Sequence, residues 1–284
     1  HMQNGIRLVQ VRALESKDAV YIQRTFAELI NPFLIWHQLK RNSEFKKTKF
    51  DCVIWYSPTI FWGPFIKRLK QHFQIPSYLI LRDIFPDWAI DLELIKKGPA
   101  YLFLKAIERF QYRQADVIGV QSPNSLKYFV DKNPDQKYKS HVLWNWVGKN
   151  SNIKTCSIDL SQSPLAGRTL CVYAGNMGKA QGVDVLLDLA GACKDFQDIG
   201  FVLVGRGTEV HRLKSRIEKE KLFNVLIYDE IDSSEVQGLY AQCHIGILAL
   251  DLKHTTHNIP GKWLGYLQAG LPTFAIVNPG NDLV

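Results

Sequence analysis

Short apolar runs alternate with amphipathic stretches along almost the whole chain. Residues 6–11 read as a first strand. From about residue 20 to residue 41, Tyr21, Phe26, Leu29, Ile30, Phe33, Leu34, Trp36 and Leu39 recur at helical spacing, with Arg24, Lys40 and Arg41 among them. Pro32 is expected to kink or restart that helix, since proline has no N–H to donate. Its aromatic and basic character suits either a helix docked on its domain or one lying on a membrane surface. Residues 51–57 predict a strand ending in a turn at Pro58. Residues 59–73 predict a helix with Trp62, Phe65, Ile66 and Leu69 as its apolar positions, and 78–81 a second strand. A helix is predicted over 99–113, with Leu102, Ala106, Ile107 and Phe110 on one face. A strand follows over 117–120. Ser122 then caps a helix with Pro123 at its first position, and residues 141–143 form a last short strand.

Residues 148–167 lose this periodicity and are rich in Ser, Asn, Asp and Lys, which predicts a linker. Alternation then restarts, with strands over 169–174, 200–204, 224–228, 243–249 and 272–276. The intervening helices are predicted over 183–194, 208–220, 233–241 and 261–269. The pattern implies an α/β protein of two domains, residues 1–147 and 168–284, each a parallel sheet with helices on both faces. At 284 residues the chain is long enough for both. His1-Met2 reads as a remnant ahead of the native sequence, and both ends read as cut short.

Composition narrows the function classes. A hydrophobic content of 46% with 22% charged residues is that of a globular protein, and no run is apolar enough to span a bilayer. Cys52, Cys156, Cys171, Cys193 and Cys243 are scattered singly, which argues against a disulfide framework or zinc site and for a reducing, cytoplasmic setting. No metal is implied; His254 and His257 lie three apart without an evident third ligand. The net charge of +8 suits anionic partners. The basic residues are spread and carry no nucleic-acid motif, so nucleic acid is not an expected partner.

In open parallel sheets ligands sit beyond the carboxyl ends of the strands. The residues there are Arg82, Asp83 and Asp87; Gly175-Asn176-Met177-Gly178-Lys179; Gly205-Arg206-Gly207; Asp229-Glu230; and His254 to Lys262. The stretch from Thr169 to Leu187 is the most pointed of them. It runs from a β-forming segment through a glycine-rich turn into a helix, and such a turn lets backbone approach an anion at a helix start. The spacing is not Gly-x-Gly-x-x-Gly, so a dinucleotide is not the first expectation.

Taken in order, Tyr173-Ala-Gly-Asn-Met-Gly, Phe201-Val-Leu-Val-Gly-Arg-Gly and Ile259-Pro-Gly-Lys-Trp-Leu-Gly-Tyr-Leu-Gln-Ala-Gly-Leu-Pro resemble the second domain of retaining family-4 (group 1) glycosyltransferases. Asp83-Ile-Phe-Pro86-Asp87 and Val142-Leu-Trp-Asn145 resemble first-domain landmarks of the bacterial surface-polysaccharide branch. The resemblance covers most of residues 50–284. It implies the GT-B fold, two Rossmann-like domains with a cleft between them. It also implies transfer of a hexosyl or N-acetylhexosaminyl group from a nucleoside-diphosphate sugar to a glycan or lipid-linked acceptor, with no cofactor beyond that substrate. The setting implied is the cytoplasm, with the inner face of the membrane as a further location.

On this reading the donor would be held by Gly175, Asn176, Lys179, Arg206, Glu230, His257, Pro260, Gly261 and Lys262. Lys179, Arg206 and Lys262 supply positive charge where the leaving diphosphate gains negative charge. Pro260 is expected in the first turn of the helix over 261–269. Asp83 and Asp87 are the candidate catalytic carboxylates, set to orient an acceptor hydroxyl or steady a cationic sugar centre; Asp87 would equally serve as a helix N-cap. Trp144-Asn145-Trp146 reads as packing at the domain junction or as a platform for a sugar.

The chain departs from the family at several points. Asn176 and Gln181 stand where the family has an arginine and a lysine for the diphosphate. His257 and Gly265 stand where it has two glutamates, the second of which receives the ribose hydroxyls. Losing such a charged hydrogen bond costs roughly 1.5–3 kcal/mol. Two alternatives therefore stay open: a non-catalytic relative acting as a binding or scaffold subunit, and a nucleotide-sugar 2-epimerase of the same fold.

Overall fold

The computed structural model describes residues 2–3, 6–15, 21–57, 59–148, 155–253, 255 and 258–283. The chain divides into two compact units, residues 1–90 with 95–143, and residues 91–94 with 144–284.

The first unit begins with a short antiparallel ribbon, β1 (Met2–Gln3) and β2 (Ile6–Arg7). The strand predicted over 6–11 therefore stops early. The chain beyond it is pinned along the helix α1 (Tyr21–Leu39), where Asn31 Oδ1 accepts from Leu14 N and Asn31 Nδ2 donates to Leu14 O, at 2.7 and 3.0 Å. Helix α1 continues through Pro32, contrary to the expected restart. There follow α2 (Ser43–Lys47), β3 (Val53–Ser57), α3 (Gly63–Phe73), β4 (Ser77–Leu81), α4 (Asp87–Asp91), α5 (Pro99–Gln114), β5 (Val117–Val120), α6 (Pro123–Lys132) and β6 (Ser140–Val142). Helix α3 starts four residues later than predicted because Pro64 suits its first turn. Ser122 caps α6 as expected, accepting from Ser125 N. Pro58 lies outside the described residues.

The four main strands are parallel, in the order β3-β4-β5-β6. Trp55, Leu79, Leu81, Ile118 and Val120 face one core with Ile66, Leu69, Tyr112 and Phe129 from α3, α5 and α6. The alternate positions Ile54 and Tyr56 are 62% and 53% exposed, so helices on both faces are not what the described residues provide.

Helix α5 also corrects the sequence reading. Leu102 is 66% exposed and Phe103 55%, whereas the inward face carries Lys105, Glu108, Gln111 and Tyr112. Gln111 brackets the turn after β3: its Oε1 accepts from Trp62 N at 3.1 Å and its Nε2 donates to Ser57 Oγ at 3.0 Å. Buried polar groups are tolerable when partnered in this way.

The second unit contains β7 (Thr169–Ala174), α7 (Asp184–Ala192), β8 (Ile199–Val204), α8 (Val210–Glu220), β9 (Val225–Tyr228), α9 (Val236–Tyr240), β10 (Ile245–Ala249), α10 (Lys262–Ala269) and β11 (Thr273–Ile276). All strands are parallel, in the order β11-β10-β7-β8-β9. Here the sheet has a core on each face. Tyr173, Phe201, Leu203 and Ile247 lie on one side, and Val172, Val202, Val204 and Leu248 on the other. Such strands read as unbroken apolar runs, which is why their bounds were legible. Of the expected linker over 148–167, residues 149–154 lie outside the described set. Its later part is not a linker, because Leu160 and Leu165 are buried in this unit's second core.

Candidate functional site

The strand order of the second unit reverses between β7 and β10. A crevice at the carboxyl ends of such a pair is the usual ligand position in open α/β sheets. Gly175 follows β7 with φ +144°, and Gly205 and Gly207 follow β8 with φ +150° and +151°, a region that favours glycine. The two turns interlock through backbone: Gly175 N donates to Val204 O at 2.8 Å, and Met177 N donates to Arg206 O at 2.7 Å. A Cβ on Gly205 would fall 2.0 Å from Gly175 O, and one on Gly207 would fall 2.3 Å from Met177 O. Met177 is wholly buried and anchors the first turn in the core.

Lys262, the first residue of α10, reaches back to this turn. Its Cε would lie 3.2 Å from a Cβ on Gly175. Its ammonium sits 4.3 Å from the centre of the Tyr173 ring and donates to Tyr173 Oη at 3.2 Å. The Tyr173 hydroxyl donates in turn to Asn176 O at 2.6 Å. Burial lowers the Lys262 pKa to about 8 and raises that of Tyr173. Sequence reasoning missed Tyr173 as part of this group. Its signal was its place as the last core-facing residue of β7 before the glycine turn.

The other expected donor residues are placed differently. Asn176 Nδ2 donates to Gln181 Oε1 at 2.9 Å, and the same oxygen accepts from Gly178 N at 3.0 Å. The two residues that stand where the resemblance expects cations thus brace each other. Lys179 is exposed on the 3₁₀ turn over Lys179–Gln181. Arg206 Nε meets Glu230 Oε2 at 3.1 Å, both being about half exposed, a pairing of small net worth that an anion can displace. His257 lies outside the described residues. Pro260 precedes the N-cap Gly261 rather than sitting in the first turn of α10, and Trp263 N donates to its carbonyl. The start of α7 is already complemented by a carboxylate, because Asp184 in its first turn binds Arg212 and Arg216. Of the two helices that follow the switch-point strands, α10 has no acidic residue in its first turn, and its N-terminus suits a phosphate better than that of α7.

At Gly265, a Cβ would stand 3.3 Å from Tyr240 Cε2. The ring of a buried tyrosine therefore borders the position at which the family resemblance expects a glutamate.

In the first unit, Asp83 follows β4, is partly buried, and has its pKa pushed up to about 6 by burial, against the pull of Arg24. Burial also raises the Tyr56 pKa, with a further contribution from Asp83. Arg82 Nη1 donates to Leu143 O at 2.7 Å and ties β4 to the chain beyond β6. Asp87 is buried; its Oδ1 accepts from Tyr101 Oη at 3.0 Å and its Oδ2 pairs with Lys105 Nζ at 3.2 Å. Lys105 also contacts Glu108, which accepts from Tyr112 Oη and has its pKa pushed up to about 7, mainly by burial. The Asp87 carboxylate is thus committed to an internal ionic group. It is not aimed at solvent, and it does not cap α4. Trp144 and Trp146 are exposed rather than packed away.

Comparison with known proteins adds the following. Residues 160–282 match the family described as "Glycosyl transferases group 1". WcaI of Escherichia coli (strain K12), provisionally named a colanic acid biosynthesis glycosyl transferase, is 21% identical over 209 residues. That match spans 70% of this chain and 51% of WcaI, about half the relative's length. The structure of Anabaena Alr3699/HepE in complex with UDP-glucose superposes with a TM-score of 0.66 at 17% identity, over 88% of this chain and 65% of that chain. The pneumococcal O-GlcNAc transferase GtfA, solved with UDP and GlcNAc, gives 0.56 at 13% identity, over 88% and 46%. At these identities the likeness establishes the fold, the paired Rossmann-like units of GT-B proteins.

Proposed function

We propose that the chain, whose residues 160–282 match the family described as "Glycosyl transferases group 1", transfers a sugar from a nucleoside-diphosphate donor, with retention, to a glycan or lipid-linked acceptor in cell-surface polysaccharide synthesis. The observation that carries the reading is Lys262, drawn under Gly175 where the strand order reverses. An ammonium held away from water is costly alone and gains strongly from an anion brought beside it. The N-terminus of α10 adds its dipole at the same place, and the Arg206 guanidinium is exchangeable from Glu230.

In the reaction, the bond between the sugar's anomeric carbon and the diphosphate oxygen breaks, and the new bond forms to an acceptor oxygen. Charge growing on the departing diphosphate would be met by Lys262, Arg206 and the start of α10. The departing phosphate takes the acceptor proton, so no dedicated protein base is required. Asp83 is the carboxylate left to orient the acceptor, since Asp87 is committed to Lys105. The donor base is proposed to be uracil, because the solved neighbours carry UDP.

The test is calorimetric titration of UDP into the full chain, followed by assay of UDP release from UDP-sugars with glycan acceptors. Binding that weakens at least about tenfold in Lys262→Met is expected. Absence of binding by any common nucleoside diphosphate would overturn the reading. One observation favours the non-catalytic alternative, namely Gly265 against Tyr240. If Gly265→Glu raises nucleotide affinity, the family pose is retained and the missing carboxylate explains a weak donor site. If it changes nothing in a protein that still binds UDP, the nucleotide is held differently.

A further inference from the structure

A continuous row of hydrogen bonds crosses the point where the strand order of the second unit reverses. The Lys262 ammonium donates to Tyr173 Oη at 3.2 Å, and that hydroxyl donates to Asn176 O at 2.6 Å. The same peptide unit uses its other end on the neighbouring turn, where Met177 N donates to Arg206 O at 2.7 Å. Every donor in the row points the same way, from α10 past the end of β7 to the turn after β8. Hydrogen bonds aligned in this manner polarise one another. Lys262 and Arg206, the two cations set against the diphosphate, therefore stand at the two ends of a row that runs through Tyr173.

The chemistry of a phenol fits that place. Tyr173 is wholly buried, and a buried hydroxyl is costly unless its proton and a lone pair are both used. Here the proton goes to Asn176 O, so what Tyr173 presents to Lys262 is a lone pair. The face of the ring lies 4.3 Å from the same ammonium, close enough for a cation–π attraction. Burial raises the Tyr173 pKa, so the hydroxyl keeps its proton and the row keeps its direction. The lysine stem passes over Gly175, where a Cβ would lie 3.2 Å from Lys262 Cε. Among the described residues no carboxylate pairs with Lys262; the ring and the hydroxyl are its partners. An ammonium has three N–H donors, and Tyr173 takes one of them. Phenylalanine would fill the same core space and supply the ring, but it would not tie the ammonium to the glycine turn.

We propose that Tyr173 is a positioning residue for the leaving diphosphate: its hydroxyl aims the Lys262 ammonium and fixes the Asn176 turn against the turn that bears Arg206, so that both cations meet one diphosphate. Tyr173 acts through its neighbours and touches no substrate itself. The proposal rests on the sugar-transfer reading and adds to it the residue that sets the geometry of the cations.

The test is calorimetric titration of UDP and of UMP into the full chain and into Tyr173→Phe, Lys262→Met and the double variant. Tyr173→Phe keeps the ring in the core, and circular dichroism establishes that each variant is folded. Loss of one hydrogen bond to a charged group should weaken UDP binding about tenfold. UMP has a single phosphate that cannot bridge both cations, so its affinity should change little and the preference for UDP over UMP should narrow. Once Lys262 is already Met, the further loss caused by Tyr173→Phe should shrink to about twofold or less, because residues that act together depart from additivity. Unchanged UDP affinity in Tyr173→Phe overturns the proposal. So does an equal loss for UDP and UMP, or an equal loss with and without Lys262, since either marks a residue that only supports the fold. Failure of the reading beneath the proposal looks different: Lys262→Met would then bind UDP like the wild type, and the role of Tyr173 would fall with it. A weakened Lys262→Met beside an additive Tyr173→Phe removes the positioning role alone and leaves the sugar-transfer reading standing.

Discussion

The lowered pKa of Lys262 makes diphosphate binding a proton-linked event, and the size of the linkage follows from the structure. Burial brings the ammonium to about 8, against an ordinary lysine value of about 10.4. In the free protein about nine-tenths of Lys262 is charged at pH 7 and about one-tenth at pH 9. A diphosphate binds the charged form and returns the group toward its ordinary value. Affinity should therefore fall about tenfold between pH 7 and pH 9, or about 1.4 kcal/mol. At pH 8 each binding event should take up about half a proton, seen by calorimetry in two buffers of different ionisation enthalpy. Lys262→Met keeps the bulk and removes the charge, and should abolish both effects. Stability carries the same signature with its own sign. Below pH 8 native and unfolded chains are both protonated here and the cost of burial is felt in full. Between about 8 and 10.4 the native state releases its proton first, so stability from this group rises with pH, by up to about 3 kcal/mol. A dissociation constant that stays flat from pH 7 to 9, with the same apparent enthalpy in both buffers, would refute the argument.

Gly205→Ala should lower the thermal midpoint of the second unit by several degrees and abolish UDP binding, because the new Cβ would overlap Gly175 O and the residue sits at φ +150°. Gly191→Ala, inside α7 with Leu222 at an ordinary 3.8 Å, should instead stabilise that unit by about 0.5–1 kcal/mol in chemical denaturation. Lys105→Met leaves Asp87 and Glu108 buried together. Urea unfolding at high pH should show a loss of about 3–5 kcal/mol, shrinking as the pH falls and Glu108, raised by burial and no longer held down by Lys105, takes up a proton. On the transferase reading, Asp83→Asn should reduce turnover about ten- to a hundredfold with UDP affinity unchanged. The wild-type rate should fall as the pH drops through about 6, where Asp83 becomes neutral.

Legibility in the sequence followed the physics of each element. The strands of the second unit are covered on both sides, so their apolar runs and terminal glycines marked them to within a residue or two, and β7 appears over the residues expected. Helix α5 was assigned with nearly the right bounds and the wrong inner face. Periodicity shows that Leu102 and Phe110 share a side, but not which side meets the core. That was decided by Asp87, 18 residues before Lys105, and by Ser57, 54 residues before Gln111. The glycine turn announced itself through composition. Its partner Lys262 lies 89 residues from Tyr173, and no local pattern reveals that the ammonium rests on that ring. Arg206 and Glu230 were both expected at the site, but their mutual pairing depends on β8 and β9 being neighbours. Pro32 misled in the opposite direction, since α1 holds its course through a residue that alone predicts a break.

The bare side of the first sheet bears on how the protein behaves at high concentration. Ile54 and Tyr56 project from β3, which among the described residues is also the border strand of that sheet, so greasy side chains and an unpaired rim coincide there. An environment-sensitive dye should light up against the native protein there, and crowding should drive copies together by that rim long before either unit melts. Charge placed at position 54 would be the simplest remedy, because nothing in the core depends on that side chain.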